Sequence, residues 1–579
     1  MQRSRTSLPT AAVLLGILVL TACTAPPTRS ESAPVKADVV SDEGLTAPRF
    51  PSTATGGTLR IVAGTPDSLD PARSYSPWVW NLMRLYTRTL VTYAAAPGSP
   101  GADLVPDLAT GLGVPSDGGR TWTYTLAPGR RFETGAPITA QDVKYGIERS
   151  FASDVVVGGP TYVVDLLDDP KNAYAGPYRD ATADKLGLAT VQTPDESTIV
   201  FRLNRPYADF DHILALPSSS PVPRGQDTGA AYGDRPVSSG PYRISSVDAV
   251  LGISLERNPY WDRQTDPVRT ALPDRVSVRT GLTDEERDRR IIAGTADVDV
   301  MPTGVAAETW PRIAAEPSLL SRTDRSTRGT VRMLALPTTV PPMDNVHCRR
   351  AVAAALSRPA LVAALGGAAQ TLPTGTLWPR TLPGYRDFSD VAEQPDPVVA
   401  GRELAACGRP DGFDVRIAVP DEQPPLEVAH AVATALGEIG VRADVAALDP
   451  ATYYTTEIGT PQTVATEGYG ILVTSWASDL PTPATYYPPL VGAVRPTGNA
   501  NYAQIATPEL TTLLTATLAE PDPSRALAAW RELDSTLVSL ATYLPLLEER
   551  VIHLVGERLH NAYLHPAYAG YDLVTLGVR

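Results

Sequence analysis

Short runs of alternating or clustered apolar residues, each closed by Gly, Pro, Asn or Asp, recur from residue 56 onward and predict strands. They are GGTLRIVAG (56–64), TWTYTLA (121–127), STIVFRLN (197–204), YRISS (242–246), LGISLERN (251–258) and DRVSVRT (274–280). Trp122 and Tyr124 fall on one face of their strand and are expected to build a local core. TAQDVKYGIERSF (139–151) predicts a helix, with Thr139 as N-cap and Asp142 three residues on at capping-box spacing. Further along, the texture changes. FDVRIAVP (413–420), PLEVAHAVATALGEIG (425–440) and VRADVAAL (441–448) read as strand, amphipathic helix closed by Gly440, and strand. That succession is a βαβ unit. About 520 ordered residues exceed what one core serves, so at least two α/β lobes are expected, with a ligand between them.

The N-terminus departs from this pattern twice. Arg3 and Arg5 precede the ten-residue apolar run AAVLLGILVL (11–20), which is short of the ~18–20 residues of a spanning helix. Small residues Thr21 and Ala22 follow, so 1–22 reads as a signal peptide. Residues 24–55 have neither a period of 2 nor of 3.6 and are rich in Pro, Ser, Thr and acids. They are expected to form a disordered spacer, with order beginning at Gly56.

Composition and charge narrow the function. Hydrophobic residues make up 43% of the chain, and no second long apolar segment follows Cys23. The formal net charge is −14, and loss of Arg3 and Arg5 with the leader lowers it to −16, which disfavours a nucleic-acid partner. Besides Cys23 there are only Cys348 and Cys407. They can pair, but separate core thiols are the preferred reading. No nucleophile elbow, HExxH, phosphate-binding glycine loop or CxxC is present. His560 and His565, five apart, share neither a helix face nor a strand face, and His347-Cys348 is expected at a helix entrance. No catalytic residue, metal site or cofactor is assigned.

Two resemblances sharpen this reading. Leu20-Thr21-Ala22-Cys23 resembles the lipobox of bacterial lipoproteins. It implies that Cys23 becomes the first mature residue and carries lipid, palmitate included, anchoring the protein on the extracytoplasmic face of the cell membrane. Then GGTLRIVAGTPDSLDPA (56–72), the long stretch from LVPDLATGLG to IERSF (104–151), SSGPYRI (238–244), LERNPYWD (255–262) and IIAGTADVDV (291–300) follow one another. PPMDNVHCRRAVAAALSRPALV (341–362) and SWASDLPTP (475–483) complete the series. In this order they resemble the peptide-type, family 5 solute-binding lipoproteins of bacterial ABC importers.

That resemblance implies an α/β, two-lobed periplasmic-binding-protein-like fold of type II with an extra α/β domain inserted in the first lobe. The implied divisions are signal peptide 1–22, lipidated Cys and tether 23–55, and first-lobe segments 56–92, 223–330 and 547–579. The inserted domain spans 93–222 and the second lobe 331–546. The implied partners are a small peptide or similar solute and ABC permease subunits with their cytoplasmic ATPase, the protein acting as a monomer and not as an enzyme. Tyr75 and Trp476 are the implied aromatic cleft residues. Asp479 matches the aspartate that pairs with a peptide's α-amino group. Alternatives are a loop tyrosine for Tyr75, core packing for Trp476, and capping of the turn before Pro481 for Asp479. The segments LALPTTVPPMD (334–344) and Asp479-Leu480-Pro481-Thr482 depart from the commoner pattern, which leaves the ligand open. A metal chelate, haem, sugar or opine is an alternative ligand, and a ligand-sensing receptor or a secreted hydrolase an alternative function.

Overall fold

The computed structural model describes residues 46–365, 367, 370–386 and 394–579. Cys23 and the leader lie outside them. Three principal sheets organise the chain. The first runs in the order Val298–Asp299, Thr58–Val62, Arg275–Arg279, Gly252–Arg257 and Tyr242–Asp248. Its first three strands are parallel neighbours, and the last two are added antiparallel. The second has six strands, Thr371–Pro373, Tyr543–Leu554, Thr323–Ala335, Tyr469–Ala477, Asp414–Pro420 and Arg442–Leu448. The third is an antiparallel sheet of Val114–Ser116, Thr121–Thr125, Thr198–Arg202 and Val191–Gln192, inserted between strands of the first.

Local patterning explains most of these elements. Trp122 and Tyr124 are buried on one face of the third sheet, against Phe210 and Phe201 with ring centroids 5.8 and 5.7 Å apart. Helix Ala140–Arg149 carries the full capping box, Thr139 and Asp142 each satisfying the other's backbone N–H, so two otherwise unbonded donors find acceptors. The expected βαβ unit is present: Asp414–Pro420 pairs in parallel with Arg442–Leu448 through helix Pro425–Gly437. Gly440 supplies φ +82° just before the second strand, a conformation that costs residues with a Cβ.

Two long strands join the lobes. Thr323–Ala335 and Tyr543–Leu554 run antiparallel with a register break between Thr327 and Val331. At one end Leu554 packs with Val62 and Ile291 of the first lobe. At the other, Leu334 and Leu547 lie in the core of the second. Such paired strands let two lobes share backbone hydrogen bonds and yet bend at the irregularity.

Two expectations are corrected. Packed chain begins before Gly56. Arg49 is buried, donates to Asp324 at 2.8 Å and to the Thr323 and Ser321 carbonyls at 2.8 and 3.0 Å, and its N–H bonds to Ala562 O at 2.8 Å. The segment is held by polar bonds at single residues, among them this buried ion pair over a separation of 275 residues and the Ser52 N–H to Asn561 Oδ1 at 2.8 Å, which leave no periodic pattern in the sequence. Cys348 and Cys407, expected as separate thiols, form a disulfide with Cα atoms 5.2 Å apart, inside the bridging range. It joins helix Val346–Ala355 to the C-cap of helix Pro397–Ala406. His347 stands in the first turn of the former helix and its Nδ1 lies 2.7 Å from Glu403 Oε2 across the same contact.

Candidate functional site

The strand Tyr469–Ala477 emerges from the second sheet into the turn Ser478-Asp479-Leu480-Pro481, and helix Pro483–Val491 follows. The N-cap of that helix is Thr482, whose Oγ1 accepts the Ala484 N–H at 3.1 Å. Ser478 Oγ braces the turn by donating to the Thr482 carbonyl at 3.2 Å. Asp479 is therefore not spent on capping. Its carboxylate accepts the phenolic O–H of both Tyr75, from the first lobe, and Tyr162, from the inserted domain. One carboxylate thus joins all three parts of the molecule.

Each tyrosine is presented by a local device. Asp67 accepts the Tyr75 N–H at 2.6 Å and the Ser74 hydroxyl at 2.8 Å, and the Tyr75 ring meets Trp80 edge-on at 5.9 Å. Tyr162 opens the short helix Tyr162–Leu167. Burial and then the Asp479 charge push both phenols above their ordinary range, so they remain neutral donors to the carboxylate. Nearby, Thr482 Oγ1 donates to Asp209 and the Ala208 N–H bonds to Leu518 O at 2.9 Å. These further bonds hold the inserted domain to the second lobe.

Trp476 precedes this turn and is half-buried. Its indole N–H donates to Tyr486 O at 3.0 Å, and its ring meets Tyr502 at 6.4 Å against the main core. Of the three residues singled out from sequence, Tyr75 and Asp479 meet directly. Trp476 stands behind them with its polar atom already bonded.

Two confluent cavities open between the lobes. One, of about 340 Å³, is lined by Pro77 and Thr303 from the first lobe, Arg328 and Thr330 from a joining strand, and Ser478 and Asp479 from the second. The other, of about 490 Å³, has Arg325, Arg380, Tyr385, Arg550 and His565 in its wall. Thr381, Leu382, Pro566 and Ala569 line both. A third, about 290 Å³, lies between the inserted domain and the second lobe and begins at Tyr162. Volumes of this size suit a small organic ligand.

Beside these walls, Glu549 sits between Arg332 and Arg328, the latter 3.3 Å away. The two guanidinium groups hold its carboxyl below the usual range although burial opposes them. Arg380 is 2.6 Å from Glu548. Among the described residues no group of three or more His, Cys, Asp or Glu could hold a metal ion. Nor is any described helix long and apolar enough to cross a membrane.

Sequence reasoning missed Tyr162, Arg325 and Arg550. Tyr162 sits in GPTYVVD without a motif. The run DRSTRGTVRM within one strand did signal a concentration of arginine, but not the cavity it faces.

Comparison with known proteins gives a consistent picture. The family described as "Bacterial extracellular solute-binding proteins, family 5 Middle" matches residues 103–497. The "Glutathione-binding protein GsiB" of Salmonella typhimurium is 23% identical over 472 residues, 79% of this chain and 83% of that protein. The "Probable ABC transporter periplasmic-binding protein SapA" of Escherichia coli is 24% identical over 548 residues, 88% and 91% of the two chains. Among solved structures, "Clavulanic acid biosynthesis oligopeptide binding protein 2" superposes with a TM-score of 0.88 at 43% identity, covering 94% of this chain and 99% of that one.

Proposed function

This chain belongs to the bacterial extracellular solute-binding proteins of family 5, with their two-lobed type II fold and inserted α/β domain, and from that premise we propose that it captures a peptide between its lobes and delivers it to an ABC permease. The observation that carries the reading is Asp479, a carboxylate at the wall of the interlobe cavity, faced by tyrosines from the opposite lobe and the inserted domain. A carboxylate has about four lone-pair positions. Two are used by Tyr75 and Tyr162, so a peptide's ammonium finds an acceptor there without displacing either. In a cavity of low dielectric that bond is stronger than on an open surface. Ligand touching both lobes favours the closed arrangement over the open one, and closure is a population shift of that kind. The similarity to a structure named for oligopeptide binding supports a peptide. The protein is read as a binder and not as an enzyme.

Cys23 is proposed as the lipid attachment site, with residues from 24 onward as the tether. A tethered receptor raises the local concentration of captured solute at the permease.

Asp479→Asn tests the reading. It keeps the shape of the turn and one carbonyl acceptor but removes the charge. Binding of a peptide with a free amine should weaken by ~1.5–3 kcal/mol, the range for a charged hydrogen bond, while its N-acetylated form is unaffected. Calorimetry on both forms decides the matter: an equal loss for the two, or none for either, removes Asp479 from amine recognition.

A further inference from the structure

Both ends of the inserted domain return to the first lobe, because its sheet lies in sequence between Thr58–Val62 and Tyr242–Asp248, two strands of the first sheet. The second lobe is reached through the joining strands Thr323–Ala335 and Tyr543–Leu554. No stretch of chain passes directly from the inserted domain to the second lobe. Bonds between those two bodies therefore form only when the lobes come together.

Three consecutive residues of the inserted domain make such bonds. The Tyr207 O–H donates to the Ala484 carbonyl at 3.3 Å, the Ala208 N–H donates to the Leu518 carbonyl at 2.9 Å, and the Asp209 carboxylate accepts the Thr482 hydroxyl. Thr482 and Ala484 form the head of helix Pro483–Val491, directly after the Asp479 turn, and Leu518 lies in helix Pro508–Ala519. Asp209 occupies the N-cap of the short helix Phe210–Leu214, yet its side chain makes no capping bond there. An N-cap carboxylate ordinarily accepts an N–H of its own helix, whereas this one is turned to the second lobe. Tyr207 and Thr482 are buried in the contact. Burial and then the Asp209 charge push the Tyr207 phenol above its ordinary range, so it stays a neutral donor. Tyr162 adds a fourth bond, to Asp479. On the rim, Asp165 of the inserted domain and Arg495 of the second lobe are both exposed and line the cavity of about 290 Å³ between the two bodies. Partial burial raises the Asp165 carboxyl, and Thr161, Arg205 and Arg495 oppose the rise, so the Arg495 charge acts across the gap.

We propose that the inserted domain is the clasp of the cleft: Tyr207, Ala208 and Asp209, with Tyr162, grip the head of the helix that follows the Asp479 turn and bias the protein toward closure through its own bonds. Tyr207 and Asp209 are then positioning residues, which need not touch the solute. The inference concerns closure and holds whatever solute the cleft takes. A bias set by the protein lowers the share of the closing energy that a solute must supply, so affinity for every solute scales with the closed fraction.

Amide hydrogen exchange and small-angle X-ray scattering of the full-length protein, with no solute added, test the clasp. In the parent the Ala208 amide should exchange slowly, because its N–H is bonded across the cleft. Asp209→Ala should speed that exchange about tenfold or more, the scale of a bond to a charged group, and Tyr207→Phe should speed it by a smaller factor. Exchange within Thr121–Thr125 and Thr198–Arg202 should keep the parent rate, which separates opening of the cleft from loosening of the inserted domain. Arg495→Glu sets like charges facing each other at an exposed site. It should speed Ala208 exchange too, and it carries the test if Asp209→Ala does not fold. Combining the three substitutions should enlarge the radius of gyration. Fast Ala208 exchange in the parent, an unchanged rate in the folded variants, or acceleration shared by the sheet of the inserted domain with no gain in radius would overturn the clasp. None of these results bears on what the cleft binds, so peptide capture is judged separately by Asp479→Asn.

Discussion

Arg149, at the end of the capped helix of the inserted domain, reaches Asp70 in the LDP turn of the first lobe through two parallel bonds of 2.8 and 2.7 Å. Both side chains are wholly buried. Asp227 lies 3.3 Å from the same guanidinium, Tyr178 accepts from its Nε at 3.1 Å, and the Tyr232 ring covers it at 4.5 Å. Although burial opposes the charge, the Asp70 carboxylate raises the affinity of Arg149 for its proton, so the guanidinium keeps its charge. Replacing Arg149 with Met keeps an unbranched apolar stem at the site and removes the cation. Asp70 is then left with the Ala72 N–H at 3.0 Å as its remaining donor. Breaking one side of a buried pair costs about 3–5 kcal/mol, because the surviving charge stays out of water. The value of the attraction itself is smaller, so adding Asp70→Asn to Arg149→Met should recover part of the loss. Urea denaturation followed by both tryptophan fluorescence and circular dichroism measures this, and coincident traces justify a two-state reading. A loss below ~1 kcal/mol for Arg149→Met, or a double variant equal to the sum of the singles, would refute the argument.

Acid should weaken the fold through two buried histidines. Burial pushes His553 and His565 down to about 4, so the unfolded chain takes up protons first as pH falls below ~6.5. Their contribution is complete above that value and is lost toward pH 4, at ~1.4 kcal/mol per pH unit per histidine. Denaturation midpoints from pH 7.5 to 4.5 should fall less steeply for His553→Gln than for the parent, and identical slopes would count against it. At the N-terminus, Cys23→Ser should abolish acylation and move the protein out of the membrane fraction, and a variant that fractionated with membranes and still carried lipid would exclude this anchor.

Much of the fold was legible because it depends on near neighbours in sequence. The capping box at Thr139 and Asp142, the alternation of Trp122 and Tyr124, and the strand–helix–strand run from 413 to 448 each state a local preference that the structure keeps. The order of motifs identified the family, and within SWASDLPTP it singled out Asp479. What tertiary structure alone decided is which distant groups meet. Nothing local links Arg49 to Asp324, Asp70 to Arg149, Cys348 to Cys407, or Asp479 to Tyr75 and Tyr162. Each of these contacts joins charged or polar groups, or thiols, whose side chains give no periodic signal, at separations from 59 to 404 residues. Hydrophobic patterning can specify a face from residues a few positions apart, since burial is non-directional. A hydrogen bond or ion pair requires two particular atoms within about 3 Å, and only the completed packing of the lobes fixes which atoms those are.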